Sequence, residues 1–199
     1  MLIGTMKHIK YLMIVAIALF SAVQAQAQQI DEVRFGGNWA QPNWIEASHP
    51  EGDQFGIGGE ILFAPVNIDY FGLAGGNSSK LVEIMMNPRP HLGGMVNFDD
   101  DGTSYAFTGL TWHYAVDEVF FLETSFGFSV NNGKEDNGGD PNRASLGSNF
   151  LFHESFGFGV NLSEDMTAVF AVEHLSHAGL FGDDNRGLTH TSLRLGQKF

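Results

Sequence analysis

The chain has no cysteine, which excludes disulfide stapling and thiol nucleophiles. It is poor in positive charge: 10 Lys and Arg stand against 23 Asp and Glu, a net charge of −13. Such a surface repels phosphate backbones and excludes nucleic acid as a partner. Acidic surface loops are the plain reading of that charge. Divalent cations bridging those loops to anionic lipid headgroups are the alternative. Beyond the first 27 residues there is no apolar run of 18 or more, so no helical membrane span is expected.

Lys7 and Lys10 precede an apolar run over residues 11–22, and Ala25-Gln26-Ala27 follows. Basic start, short apolar run and small-x-small site together describe a secretory signal peptide. The expected division is a signal peptide at 1–27 and a single domain at 28–199. Removing the first segment takes two Lys and no acidic residue, so the mature chain is more acidic still. An exported chain without helical spans is either soluble or a closed barrel, because lipid leaves no other way to pair every backbone group.

The 18 Phe and 25 Gly, and the even spacing of apolar segments, point to an all-β fold. Eight strands are expected near residues 31–39, 54–63, 89–98, 103–113, 119–130, 147–161, 166–176 and 188–199. In the fifth, Phe120, Leu122, Thr124, Phe126, Phe128 and Val130 share one face, and Glu123, Ser125, Gly127 and Ser129 share the other. In the last, Thr191, Leu193, Leu195 and Phe199 oppose Ser192, Arg194, Gly196 and Lys198. Apolar-out and polar-in over about ten residues is the pattern of an outer-membrane barrel, although a soluble sandwich alternates as well.

Three features favour the barrel. Connections alternate in length: those near 98–103, 131–146 and 177–187 are longer and polar, those near 115–118 and 162–165 tight, as periplasmic turns are. The chain closes on Phe199 after an amphipathic strand, as outer-membrane barrels commonly do. Trp39, Trp44, Trp112 and Tyr114 fall near expected strand ends, where interfacial aromatics belong. The connection at 64–88 is long for a periplasmic turn; it extends both strands or holds a plug or helix, with residues 80–86 the helical segment.

The seventh strand ends Glu173-His174-Leu175-Ser176-His177. Residues two apart in a strand share a face, so His174 and Ser176 point the same way, with Val172 and Phe170 behind them. A histidine beside a serine is the minimum needed to make a hydroxyl nucleophilic. Eight strands with both termini periplasmic place this pair at the outer end, on an oily surface suited to acyl chains. Each residue alone has a plainer explanation: Ser176 as a loop opener, His174 as an interfacial polar group. Together on a lipid-facing surface they favour a site, since ionisable groups have little other reason to face lipid.

His174-Leu175-Ser176-His177-Ala178, followed by Asn185-Arg186-Gly187-Leu188, resembles the motif of the lipid A 3-O-deacylase (PagL) family: His-x-Ser-Asn-Ala, a short loop, then Asn-Pro-Gly or similar. Residues 89–94 (RPHLGG), 105–112 (YAFTGLTW), 121–127 (FLETSFG) and 151–155 (LFHES) are similar to that family too. The resemblance implies an eight-stranded antiparallel outer-membrane β-barrel that removes the ester-linked acyl chain at the 3 position of lipid A, with lipopolysaccharide as substrate and no metal or other cofactor. Carried over, Ser176 is the nucleophile and His174 the base. Phe170 and Val172 would hold acyl chains.

Two positions depart from the pattern. His177 stands where the family has Asn, a candidate oxyanion-hole donor; a neutral imidazole donates one hydrogen bond. Thr189 stands where the family has the acid that orients the histidine. Asp184 and Asp183 are possible substitutes, and Glu173 a poor one because it points to the opposite face. A catalytically weak or inactive barrel of the same fold is therefore the main alternative, followed by a small porin and a soluble ligand-binding sandwich. The oligomeric state stays open, a homodimer included.

Other features read plainly. His177 and His190 add imidazoles near the same loop, but His174 and His177 are not at the same-face spacing a metal site would use. His91, His113 and His153 read as barrel-lining groups. Asp99-Asp100-Asp101-Gly102 reads as an acidic hairpin without the further ligands of a calcium loop. Residues 131–143 read as a mobile outer loop. Gly56, Gly58, Gly59, Gly93 and Gly94 read as room for curvature and close packing.

Overall fold

A computed structural model describes residues 29–40, 54–69, 72, 78–98, 102–136, 145–181 and 187–199. The proposed signal peptide, Trp44, Asp99 to Asp101, Asp183 and Asp184 lie outside these residues. Eight strands, β1 (Ile30–Ala40), β2 (Gln54–Phe63), β3 (Arg89–Asn97), β4 (Tyr105–Ala115), β5 (Phe120–Asn131), β6 (Phe150–Asn161), β7 (Met166–Ser176) and β8 (Leu188–Lys198), pair antiparallel in chain order. β8 returns to β1, with Phe35 opposite Leu195, and closes the barrel. Among the described residues no helix is long and apolar enough to cross a membrane; closure leaves no sheet edge unpaired.

The alternation seen in sequence sets the two faces. In β5, Phe121, Glu123, Ser125 and Ser129 are buried inside, while Phe120, Phe126 and Val130 are exposed outside. β4 starts two residues later than expected and β6 three. The reason is local: Leu146 and Gly147 pair with Lys134 and Glu135 instead, donating to their carbonyls at 3.0 Å each. This ladder across the flanks of the β5–β6 connection carries Leu146 over the barrel.

The interior is filled by side chains, as an eight-stranded barrel requires. Toward the outer end, Met95, Tyr105, Phe107, Leu151, Leu175 and Leu188 pack with Leu146 in one apolar cluster. Below it lies an ionic layer. Arg34 donates to Glu32 and, as a fork, to Glu123 at 2.6 and 2.9 Å. Arg89 reaches Glu32 at 3.0 Å. Arg194 bridges Glu60 at 3.2 Å and Glu173. Among the described residues, the enclosed space lined by Arg34, Glu60, Glu123 and Arg194 is only about 10 Å³, about one water. Four acidic residues, Glu32, Glu60, Glu123 and Glu173, are buried in the barrel and paired with arginine, while Asp117, Glu118, Glu135, Asp136, Glu164 and Asp165 lie in connections between strands.

Two tight turns mark one end. In the first, the Asp117 carboxylate accepts from the N–H groups of Val119 and Phe120 at 2.8 and 2.7 Å. In the second, Ser163 accepts from Asp165 and Met166. The long β2–β3 connection lies at this same end. It continues the pairing, with Val66 donating to Pro88 and Ile68 to Met86, and carries helix α1 (Lys80–Met86). Ser79 caps the helix. No residue of α1 is buried. Trp112 donates to the Met85 carbonyl at 3.0 Å, and Lys80 lies over the Tyr114 ring. The segment is thus a rim helix held by the outward aromatics of β4, rather than a plug.

Candidate active site

β7 carries the pair. Its outward residues are Met166, Ala168, Phe170, Val172, His174 and Ser176, while Thr167, Val169, Ala171, Glu173 and Leu175 are buried inside. His174 and Ser176 therefore share the outer wall with Val172 and Phe170, at the end opposite the tight turns. Phe170 is 43% exposed. Glu173 faces inward and is fully buried, held by Arg194, by the Tyr105 hydroxyl at 3.1 Å and by His153 at 3.2 Å. It belongs to the interior network and not to this face.

Register supplies the partners. His174 lies opposite Thr189 on β8, and their side chains meet, Nδ1 to Oγ1, at 3.0 Å. The ring's other edge is turned toward the loop end of the strand. A Cβ added at Gly187 would stand 2.8 Å from His174 Cε1 and 3.2 Å from Nε2. Gly187 precedes Leu188, the partner of Leu175, so continuing the antiparallel register by one residue brings it to the level of Ser176. His174 and Ser176 share the outward face of β7 two residues apart, with Nδ1 of the ring bonded to Thr189 and no hydrogen bond between the two side chains. Such contacts are often long before substrate binds.

The chain turns sharply just beyond. Ala178 adopts φ 52°, Gly179 φ 72°, and the Leu180 N–H donates to the His177 carbonyl at 2.9 Å. A non-glycine residue in the left-handed region costs on the order of 1 kcal/mol, and such outliers gather at functional sites. The His177 side chain is fully buried, and its Nδ1 accepts from the Phe181 N–H at 3.3 Å. It is not brought to the face of His174; it anchors the turn. His190 is buried inside the barrel, as are His91 and His153, while His113 is partly open and bonded to Glu123 at 3.2 Å. Among the described residues no three His, Asp or Glu converge as a metal site.

Gly187 has φ +67°, so any side chain there is strained and also strikes the His174 ring. Gly187→Ala is expected to lower turnover at least about tenfold with the barrel still folded, since a misplacement near 1 Å costs more than that. Kinetics beside a gel assay of barrel folding checks it.

The sequence reading passed over Glu154. It lies opposite His174 on β6, as Phe152 lies opposite Ser176. Outward positions of β6 read Phe150, Phe152, Glu154, Phe156, Phe158, so the signal was one carboxylate interrupting a phenylalanine stripe. Thr124, Phe126, Glu154, Phe156, Val172 and His174 border an open groove on the barrel wall.

The family model for lipid A 3-O-deacylase (PagL) matches residues 76–198. Comparison with curated protein sequences gives no match. The crystal structure of the outer membrane enzyme PagL is similar, with TM-score 0.54 and 15% identity over 84% of this chain and 99% of that one. A de novo designed transmembrane β-barrel matches with TM-score 0.48 and 10% identity over 86% of this chain and 98% of the design. The N-terminal β-barrel domain of Pseudomonas aeruginosa OprF matches with TM-score 0.46 and 12% identity, over 86% of this chain and all of that one. The family match spans β3 to β8 and includes the face just described, and the chain belongs to the lipid A 3-O-deacylase (PagL) family.

Proposed function

We propose that this chain is an outer-membrane esterase that removes the ester-linked 3-O acyl chain of lipid A, the residues at 1–27 being its signal peptide. The observation that carries this reading is His174, bonded through Nδ1 to Thr189 and sharing the outward face of β7 with Ser176, Val172 and Phe170. Lipid A would arrive laterally, with acyl chains lying along Phe170 and Val172. The Ser176 oxygen attacks the ester carbonyl carbon as its proton passes to His174 Nε2. The tetrahedral intermediate then collapses, the C–O bond to the sugar breaks, and His174 returns the proton to the leaving sugar hydroxyl. Water, deprotonated by the same imidazole, hydrolyses the acyl-enzyme and frees the fatty acid and Ser176.

Thr189 favours a second reading, a weak or inactive member of the family. Its hydroxyl orients the ring but supplies no charge to stabilise the imidazolium. Loss of the charged third member costs about 10⁴-fold in a well-studied triad, without abolishing catalysis.

Mass spectrometry of lipid A from cells expressing the chain tests the first reading. The expected spectrum lacks one hydroxyacyl chain relative to cells without it. An unchanged spectrum, with the barrel verified in the outer membrane, overturns the reading. Thr189→Glu is expected to raise turnover by restoring a carboxylate beside Nδ1. If deacylation is seen only in that variant, the natural chain is the weak relative.

A further inference from the structure

Outward positions of β4 to β8 hold one carboxylate and one imidazole among the described residues, Glu154 and His174. The two are direct cross-strand partners in the β6–β7 register. Directly opposed residues on one face have Cβ atoms about 4.5–5.5 Å apart, within reach of a glutamate and an imidazole. Glu154 is exposed on the wall, with Phe126 beside it on β5 and Phe152 and Phe156 above and below on its own strand. A carboxylate among phenylalanines facing lipid is costly, and such residues are retained for function. Its counterpart across the strand is the group that becomes positively charged during the reaction proposed above. On the other flank of His174 stands Thr189, which has a hydrogen bond to offer and no charge.

The geometry points to a divided third member of the triad: Thr189 on β8 orients the His174 ring, and Glu154 on β6 supplies the negative charge that stabilises its imidazolium. Glu154 is a positioning and charge-stabilising residue that acts through His174 rather than on the substrate. The wall faces hydrocarbon, where attraction between opposite charges is far stronger than in water, so the carboxylate acts on the ring without a hydrogen bond in the resting state. This inference rests on the deacylase reading.

The test is steady-state kinetics on purified protein in detergent–lipid A mixed micelles, beside the labelling rate of Ser176 by a fluorophosphonate probe. Glu154→Gln is expected to lower kcat at least about tenfold with KM little changed, and to slow labelling in proportion. Glu154→Asp should keep part of the rate, because it keeps the charge. Thr189→Glu placed in the Glu154→Gln background should restore kcat, because the charge returns from the opposite strand. Unchanged kcat in Glu154→Gln, a loss confined to KM, or failure of Thr189→Glu to rescue a folded protein would each overturn the proposal while leaving the deacylase reading intact. A wild-type chain that neither cleaves lipid A nor labels at Ser176 overturns that reading itself, and the divided triad with it.

Discussion

Ser176→Ala leaves the barrel folded and removes deacylation, with kcat falling at least about 10³-fold. The substitution deletes one oxygen from the last residue of β7, at a partly exposed position outside the core. The ladder that holds the strand is made by backbone groups, so folding should be unchanged. The first bond-making step of the proposed reaction begins at that oxygen, and the acyl-enzyme that water later hydrolyses cannot form without it. His174→Ala should cost nearly as much, and the double variant little more than either single one, because nucleophile and base act as a unit. Loss of one hydroxyacyl chain from lipid A with wild type only, by mass spectrometry, is the confirming result. Undiminished cleavage by Ser176→Ala would sink the mechanism.

Arg34→Leu destabilises the barrel by about 3–5 kcal/mol, the usual cost of stranding a buried charge. The Arg34 guanidinium is 3% exposed and faces three carboxylates, those of Glu32, Glu123 and Glu60 at 2.9, 2.6 and 3.6 Å. Removing it leaves Glu123 with His113 as its close hydrogen-bond partner and with Arg89 at 3.7 Å. Denaturant unfolding in micelles, followed by tryptophan fluorescence, measures the loss. Glu123→Gln added to Arg34→Leu should recover part of it, since the charge left unpaired is then gone. The two substitutions would be non-additive, as expected of groups in one network. Equal stability of wild type and Arg34→Leu would show that the ionic layer is not held as described.

Much of the architecture could be read along the chain because a strand in a barrel wall repeats every two residues and meets two very different solvents. The outward phenylalanines of β6 and the inward Glu123, Ser125 and Ser129 of β5 follow that rule, while Phe121 and Glu154 stand against it. The rule holds in β7, where parity alone separates His174 and Ser176 from Glu173. The starts of β4 and β6 were harder to place, because loop flanks such as Lys134, Glu135, Leu146 and Gly147 pair like strand residues. The few acidic residues that line the interior were not separable from loop acids by composition: Glu123 and Glu32 are marked as interior by arginines 89 and 57 residues away, Arg34 and Arg89.

Periodicity along the chain determined the strands, their two faces, and the outward placement of the serine and histidine at the end of β7. The tertiary structure decided what stands beside them. Cross-strand neighbours depend on register and closure, which no local pattern encodes. The β7–β8 and β6–β7 registers set Thr189 against one flank of the imidazole and Glu154 against the other. The fold also made His177 the anchor of a turn, and left Gly187 as the bare surface on which the His174 ring lies.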